Sequence, residues 1–254
     1  MDVLKRDYLP DELAPLLHGA RLQGTVAVQA RQNLAETRWL LELASQHQFI
    51  RGVVGWVDLR SDQLREQLDE FVNEPKLVGV RHVVHDEPDD DFMLGADFLR
   101  GIATLVDYGL TYDLLLFPQH LAVAKKIVAQ FPKLTFVLDH MAKPGIAKKS
   151  IEPWAADLNR LARLPNVSCK LSGMVTEARW QGWQPEDFTP YLDIVLEAFG
   201  AERLMIGSDW PVCTLSGDYR STMMIVIEYV NRLSAGEREA VLGGTCNRIY
   251  NLPA

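Results

Sequence analysis

The stretch Arg203-Leu204-Met205-Ile206-Gly207-Ser208-Asp209-Trp210-Pro211 decides how this chain is read. A short apolar run ends in a carboxylate, and a Trp-Pro turn follows at once. Apolar runs of this length, bounded by turn signals, read as strands buried on both faces. An acid at the carboxyl end of such a strand stands where parallel α/β barrels carry their chemistry. Only about one more helical stretch separates it from the C-terminus, which makes it the last strand of such a barrel. The plainer reading is that Asp209 caps a helix. The ends of the other strands decide between the two.

Working outward, strand-like and helix-like segments alternate along the whole chain. Strands are expected at 24–30 (GTVAVQA), 50–59 (IRGVVGWVDL), 77–84 (LVGVRHVV), 110–117 (LTYDLLLF), 134–139 (LTFVLD), 166–172 (NVSCKLS) and 203–208. Helical spacing of apolar residues recurs between them, at 33–46, 62–73, 95–108, from about 120, 153–163 and 188–199, and in the tail at 220–232 and 236–250. This rhythm implies a parallel sheet with helical crossovers. Seven strands with no topological reversal favour a (β/α)8 TIM-type barrel with seven strands visible over an open sheet. No linker, repeat or low-complexity stretch divides residues 1–254, so one domain is expected.

The composition agrees. A length of 254 residues is close to that of one such barrel, and 48% hydrophobic with 24% charged residues is ordinary for a globular protein. A net charge of −8 argues against a nucleic-acid partner, which needs a basic face. No apolar run approaches a membrane span, and the polar start MDVLKRD is no signal peptide. Cys169, Cys213 and Cys246 are odd in number, widely spaced and without a CxxC pair. They read as the reduced thiols of a cytoplasmic protein.

In a barrel of this kind the carboxyl ends of the strands share one mouth. They carry Gln29, Trp56 with Asp58, Arg81 with His82, Gln119 with His120, Asp139 with His140 and Lys143, Lys170 with Ser172, and Asp209 with Trp210. His140, directly after FVLD, is placed to polarise a carbonyl, move a proton or ligate a metal. His120 suits either the mouth or a loop entering a helix. Arg81 and His82 alternate, so one points inward. Arg81 is the better anchor for a carboxylate or lactone oxygen, unless it is spent on an ion pair with a neighbouring strand end. His18, His47 and His85 are expected at the surface. Neither HExxH, GxSxG, a P-loop nor GxGxxG occurs, and Gly243-Gly244 reads as a cap and turn.

Together the blocks GVVGWVDL (52–59), GVRHVVHDEPD (79–89), DLLLFPQHL (113–121), FVLDHMAKPGI (136–146), KLSGM (170–174), RLMIGSDWPVC (203–213) and GGTCNRIYNL (243–252) resemble the amidohydrolase superfamily. The resemblance is to its amidohydrolase-2 branch, which includes sugar-acid lactonases, and it spans nearly the whole chain. It implies a (β/α)8 barrel that opens L-fucono- or L-rhamnono-type lactones. The family histidine after strand six maps to His140 and the aspartate after strand eight to Asp209. Asp209 would then activate water, His140 would polarise the lactone carbonyl, and Arg81, His120, Trp210 and Lys143 would orient the small-molecule substrate. One divalent cation, zinc or manganese, held by His140 and Asp209, is a candidate cofactor.

One feature departs from the family. Its members open with a strand carrying His-x-His, and this chain has no HxH anywhere. The expectation is therefore a barrel lacking its first strand and half of any metal site, with a homodimer as a candidate for covering the exposed strand edges. Two other readings stay open. One is a catalytically impaired barrel that serves as a binding or assembly module. The other is a hydrolase of a carboxylated, pyrone-type lactone, which a second basic residue beside Arg81 in the pocket would support.

Overall fold

The computed structural model describes residues 2–252. Seven parallel strands run in chain order across one sheet: β1 (Thr25–Val28), β2 (Ile50–Gly55), β3 (Leu77–His82), β4 (Thr111–Leu114), β5 (Phe136–Leu138), β6 (Val167–Leu171) and β7 (Leu204–Ile206). Between them pass α2 (Leu34–Gln46), α3 (Leu64–Asp69), α4 (Ala96–Tyr108), α5 (Leu121–Gln130), α6 (Trp154–Ala162), α7 (Met174–Glu177) and α8 (Thr189–Phe199). A further helix, α1 (Pro10–Gly19), precedes β1, and α9 (Tyr219–Tyr229), α10 (Ala235–Glu239) and α11 (Thr245–Ile249) follow β7. Each strand is joined to the next by a crossover that contains a helix, as parallel pairing requires.

The sheet buries both faces. Outside, the strands pack on the helices through a core that includes Tyr112, set edge-on to Phe98 at 5.9 Å and to Phe136 at 6.2 Å. Inside, Val54, Val78, Val137 and Met205 come from four different strands, yet all pack around Tyr250, just past α11. Val26 and Val28 of β1 join them, with Cys246, Ile249 and Leu252 from the tail. Because residues of β1 and β7 meet in this one cluster, the sheet curls, and the C-terminal segment with Tyr250 stoppers the interior. The fold is thus α/β of barrel type with seven parallel strands, and among the described residues β1 and β7 are not paired with each other.

Several elements stop short of the sequence expectation for local reasons. β2 ends at Gly55, not Leu59, because the Thr37 hydroxyl takes over the Trp56 backbone, accepting from its N–H and donating to its carbonyl, each at 2.8 Å. α2 starts where Asn33 accepts the Glu36 N–H at 2.9 Å, a side-chain cap. The Gly243-Gly244 segment forms a wide helical turn leading into α11. α1 was not foreseen; Pro10 opens it and Pro15 lies inside it. No helix among the described residues is long and apolar enough to cross a membrane. The three thiols are unpaired, and burial pushes Cys213 up to about 12.

Candidate active site

Asp139 leaves β5 fully buried, and the four residues after it do something unusual. His140, Met141, Ala142 and Lys143 all have positive φ, between 51° and 56°. None is glycine, so each costs about 1–2 kcal/mol relative to right-handed backbone. Such strain persists only where the surroundings over-determine it. Here the Lys143 N–H donates to the His140 carbonyl at 2.8 Å, and the Trp154 indole N–H donates to the Met141 carbonyl at 2.7 Å. The turn swings His140 over the end of β6. Its Nδ1 meets the Ser172 hydroxyl at 2.8 Å, and Gly173 lies directly beneath the ring.

Asp209 also sits at positive φ, 54°, just past β7. Its carboxylate faces the other nitrogen of the same imidazole, with His140 Nε2 3.7 Å from Asp209 Oδ1. That gap is too long for a direct hydrogen bond, but one water oxygen can lie within reach of both atoms. His140 is 8% exposed, and its burial holds the imidazole pKa below the ordinary value although Asp209 and Asp139 pull it upward. It is therefore neutral at neutral pH.

Below this pair lies a buried charge network. Asp139 Oδ2 accepts from Arg81 Nη1 at 2.7 Å, and its Oδ1 faces Lys170 Nζ at 2.7 Å. Lys170 also donates to Asp113 Oδ2 at 2.5 Å, and the Tyr250 hydroxyl donates to the same oxygen at 2.7 Å. Burial alone would push the Asp139 carboxyl up, but Lys170 and Arg81 overcome it and hold it well below the usual carboxylate range. Asp113 goes the other way: its Oδ1 has no partner, and burial raises its pKa despite Lys170. Lys170 stays charged, because the two carboxylates outweigh its desolvation. Asp113 and Tyr250 were not singled out from sequence. Nothing local marks them, since the contact joins residues 137 positions apart.

The remaining expected residues fall into two groups. Arg81 does not offer its guanidinium to the mouth: it is spent on Asp139 and on the carbonyl of Gln29, the ion-pair role weighed for it above. His120 is buried with both nitrogens engaged, Nδ1 accepting the Phe117 N–H at 3.1 Å and Nε2 2.9 Å from Asp90. Lys143 sits on the left-handed turn, paired with Glu177 at 2.8 Å. Trp210 stands beside Asp209 with its ring edge-on to Tyr8 at 5.2 Å. His85 corrects an expectation. It is not a surface residue: its ring stacks on Phe117 at 4.8 Å, and its buried Nδ1 lacks a partner. Burial pushes its pKa down to about 4, with Lys143, Arg81 and His140 adding to the fall. His82 points away from Arg81, stacked on Phe92 and 2.6 Å from Glu87.

His140 Nε2 and Asp209 Oδ1 are oriented as two ligands of one cation would be, with the far nitrogen of the imidazole fixed by Ser172. A catalytic zinc normally takes three protein ligands. Among the described residues no group of three His, Cys, Asp or Glu is placed to hold a metal. This donor set is therefore a pair, short of a zinc or manganese site.

Comparison with known proteins adds to this geometry. The sequence pattern of the amidohydrolase family (Amidohydro_2) matches residues 2–252. The chain is 46% identical to an L-fucono-1,5-lactonase of Burkholderia multivorans, over all of this chain and 89% of that one. It is 37% identical to an L-fucono-1,5-lactonase of Burkholderia ambifaria, over 99% of this chain and 88% of the other. A crystal structure of a Burkholderia multivorans amidohydrolase with bound zinc superposes with a TM-score of 0.95. It shares 46% identity, over all of this chain and 92% of that one.

Proposed function

The chain belongs to the amidohydrolase family, and on that premise we propose that it hydrolyses sugar-acid lactones of the L-fucono or L-rhamnono type with Asp209 and His140 as its catalytic pair. The observation that carries this is the 3.7 Å between His140 Nε2 and Asp209 Oδ1 at the carboxyl ends of two strands of one sheet. The names of the two Burkholderia relatives supply the substrate class.

The chemistry runs as ester hydrolysis. The Asp209 carboxylate takes a proton from a water held against it, and the water oxygen bonds to the lactone carbonyl carbon. The Ser172 hydroxyl, donating to His140 Nδ1, keeps the neutral imidazole's proton on Nε2. That N–H then donates to the oxyanion that forms. A preorganised donor of this kind contributes about 3–4 kcal/mol in comparable sites. When the intermediate collapses, the ring C–O bond breaks and the leaving oxygen takes the proton back from Asp209 as a hydroxyl. The new carboxylic acid loses its own proton to solvent. Trp210 and Lys143 bound the space in which the sugar hydroxyls lie. Arg81 acts on the site through Asp139, and His120 braces the loop after β4.

A bound divalent cation at His140 and Asp209 would supply Lewis-acid activation of the carbonyl or the water. Two donors do not make that site, and no step above is routed through it. The acidic charge and three unpaired thiols suit a cytoplasmic enzyme. A homodimer would cover the free edges of β1 and β7.

The test is Asp209→Asn assayed on L-fucono-1,5-lactone by acid release. The expected loss is on the order of a hundredfold or more. Undiminished turnover sinks the assignment.

A further inference from the structure

The cations around this mouth are already neutralised, and that bears on which lactones enter. Lys170 faces Asp113 and Asp139, and Arg81 faces Asp139. Lys143, the one lysine on the left-handed turn itself, faces Glu177 at 2.8 Å. Both members of that last pair are shielded, at 15% and 23% side-chain exposure. Glu177 is the last residue of the short α7 that follows β6, so two adjacent strand ends bring the pair together. With Asp209 counted, four carboxyl groups stand against three cations.

From this we infer that Glu177 is a specificity-determining residue: by occupying Lys143 it makes the site select uncharged lactones and turn away carboxylate-bearing ligands. The inference rests on the lactonase reading but reaches past it. Lactone opening converts a neutral substrate into an anion, and that anion is created beside Asp209. With Lys143 already paired, the product carboxylate meets a like charge and no free ammonium, so it leaves. A free Lys143 would hold it, and would also receive a lactone bearing its own carboxylate. Lys143 can still offer its remaining N–H groups to neutral hydroxyls. The arrangement thus accounts for the pyrone-type alternative as well. The second basic residue that reading asks for exists, and Glu177 takes it out of service.

The experiment is direct binding of sodium L-fuconate by calorimetry, which needs no turnover. It therefore reports on Glu177 even if the chain proves inactive on lactones. Glu177→Gln keeps the size and the acceptor oxygen but removes the charge. It should tighten L-fuconate binding by about tenfold, an effect that added salt reduces. The Lys143→Gln/Glu177→Gln double variant should lose that gain, tying it to the freed ammonium. The wild-type protein gives a second measure, because it should favour L-fucono-1,5-lactone over a carboxylate-bearing lactone by roughly a hundredfold in kcat/KM. The inference is overturned if Glu177→Gln binds L-fuconate no more tightly than wild type. A gain that survives in the double variant overturns it too, as does a wild-type kcat/KM on the carboxylate-bearing lactone equal to that on L-fucono-1,5-lactone.

Discussion

A methyl group on Gly173 would stand 2.6 Å from Cγ of His140, inside van der Waals contact, while Gly173 itself holds φ at +64°. Both facts forbid a side chain at this position, and the imidazole lies against the bare backbone as a result. Gly173→Ala should therefore displace the ring from Asp209 and Ser172. A misplacement of this size beside the chemistry costs about a hundredfold. The measurement is kcat/KM on L-fucono-1,5-lactone together with the thermal midpoint; retained activity would show that the ring has room to move.

Ser172 offers a gentler version of the same experiment. Its hydroxyl meets His140 Nδ1 at 2.8 Å, and in the proposed mechanism it donates there and so keeps the proton on Nε2. Ser172→Ala leaves the imidazole in place but frees the tautomer. The expected result is a drop in kcat of about 10–100-fold with KM little changed, as for other residues that orient a catalytic histidine. A rise in KM at constant kcat would instead make Ser172 a substrate contact.

His85 gives a stability effect with a defined sign. Its folded-state pKa is depressed to about 4 from an ordinary value of 6.5. The unfolded chain therefore binds the proton more readily, and stability rises with pH across that interval. The contribution is complete above pH 6.5 and is lost as the pH falls toward 4. Its size is on the order of 2–3 kcal/mol, since the ring is 16% exposed and each unit is worth about 1.4 kcal/mol. His85→Gln should flatten the dependence of urea midpoint on pH between 6.5 and 4; an unchanged slope removes His85 as its source.

Zinc tests the donor count at the catalytic pair. Two protein ligands fall short of the three usual in catalytic zinc sites. Competition with a chelating dye should show binding weaker than about micromolar, with Asp209→Asn and His140→Asn each abolishing what remains. Tight stoichiometric binding would mean that a third donor joins them.

The strands and their order were legible because each is an apolar run closed by turn residues, and all seven fall where the runs lie. So was the sharing of one mouth by His140 and Asp209, since parallel strands bring their carboxyl ends together. Other features carried no local signal. The turn from His140 to Lys143 contains no glycine, so nothing in its letters announces four positive φ values. Strain of that kind is imposed by the surroundings, here Trp154, Ser172 and Gly173. His85 read as a loop residue because its burial depends on Phe117, far along the chain. Arg81 was recognised as inward-facing, but its partner could not be read, because Asp139 lies 58 residues away.

The buried network itself can be tested through Lys170, which holds Asp113 and Asp139 apart electrically. Lys170→Met fills the space but leaves two carboxyls facing each other without their shared cation. Removing one partner from a buried ion pair costs about 3–5 kcal/mol. The deficit should depend on pH in the direction set by Asp113, whose carboxyl burial already pushes upward. Without Lys170 its folded-state pKa rises further above that of the unfolded chain. The folded state then binds the extra proton, and stability falls as the pH climbs from the unfolded value, about 4, to the raised folded one. The variant should thus be weakest relative to wild type at neutral and alkaline pH, and should recover part of its stability on acidification. Urea unfolding followed from pH 8 to pH 5 reads this directly. A deficit independent of pH would mean that lost packing, not the stranded carboxylates, dominates.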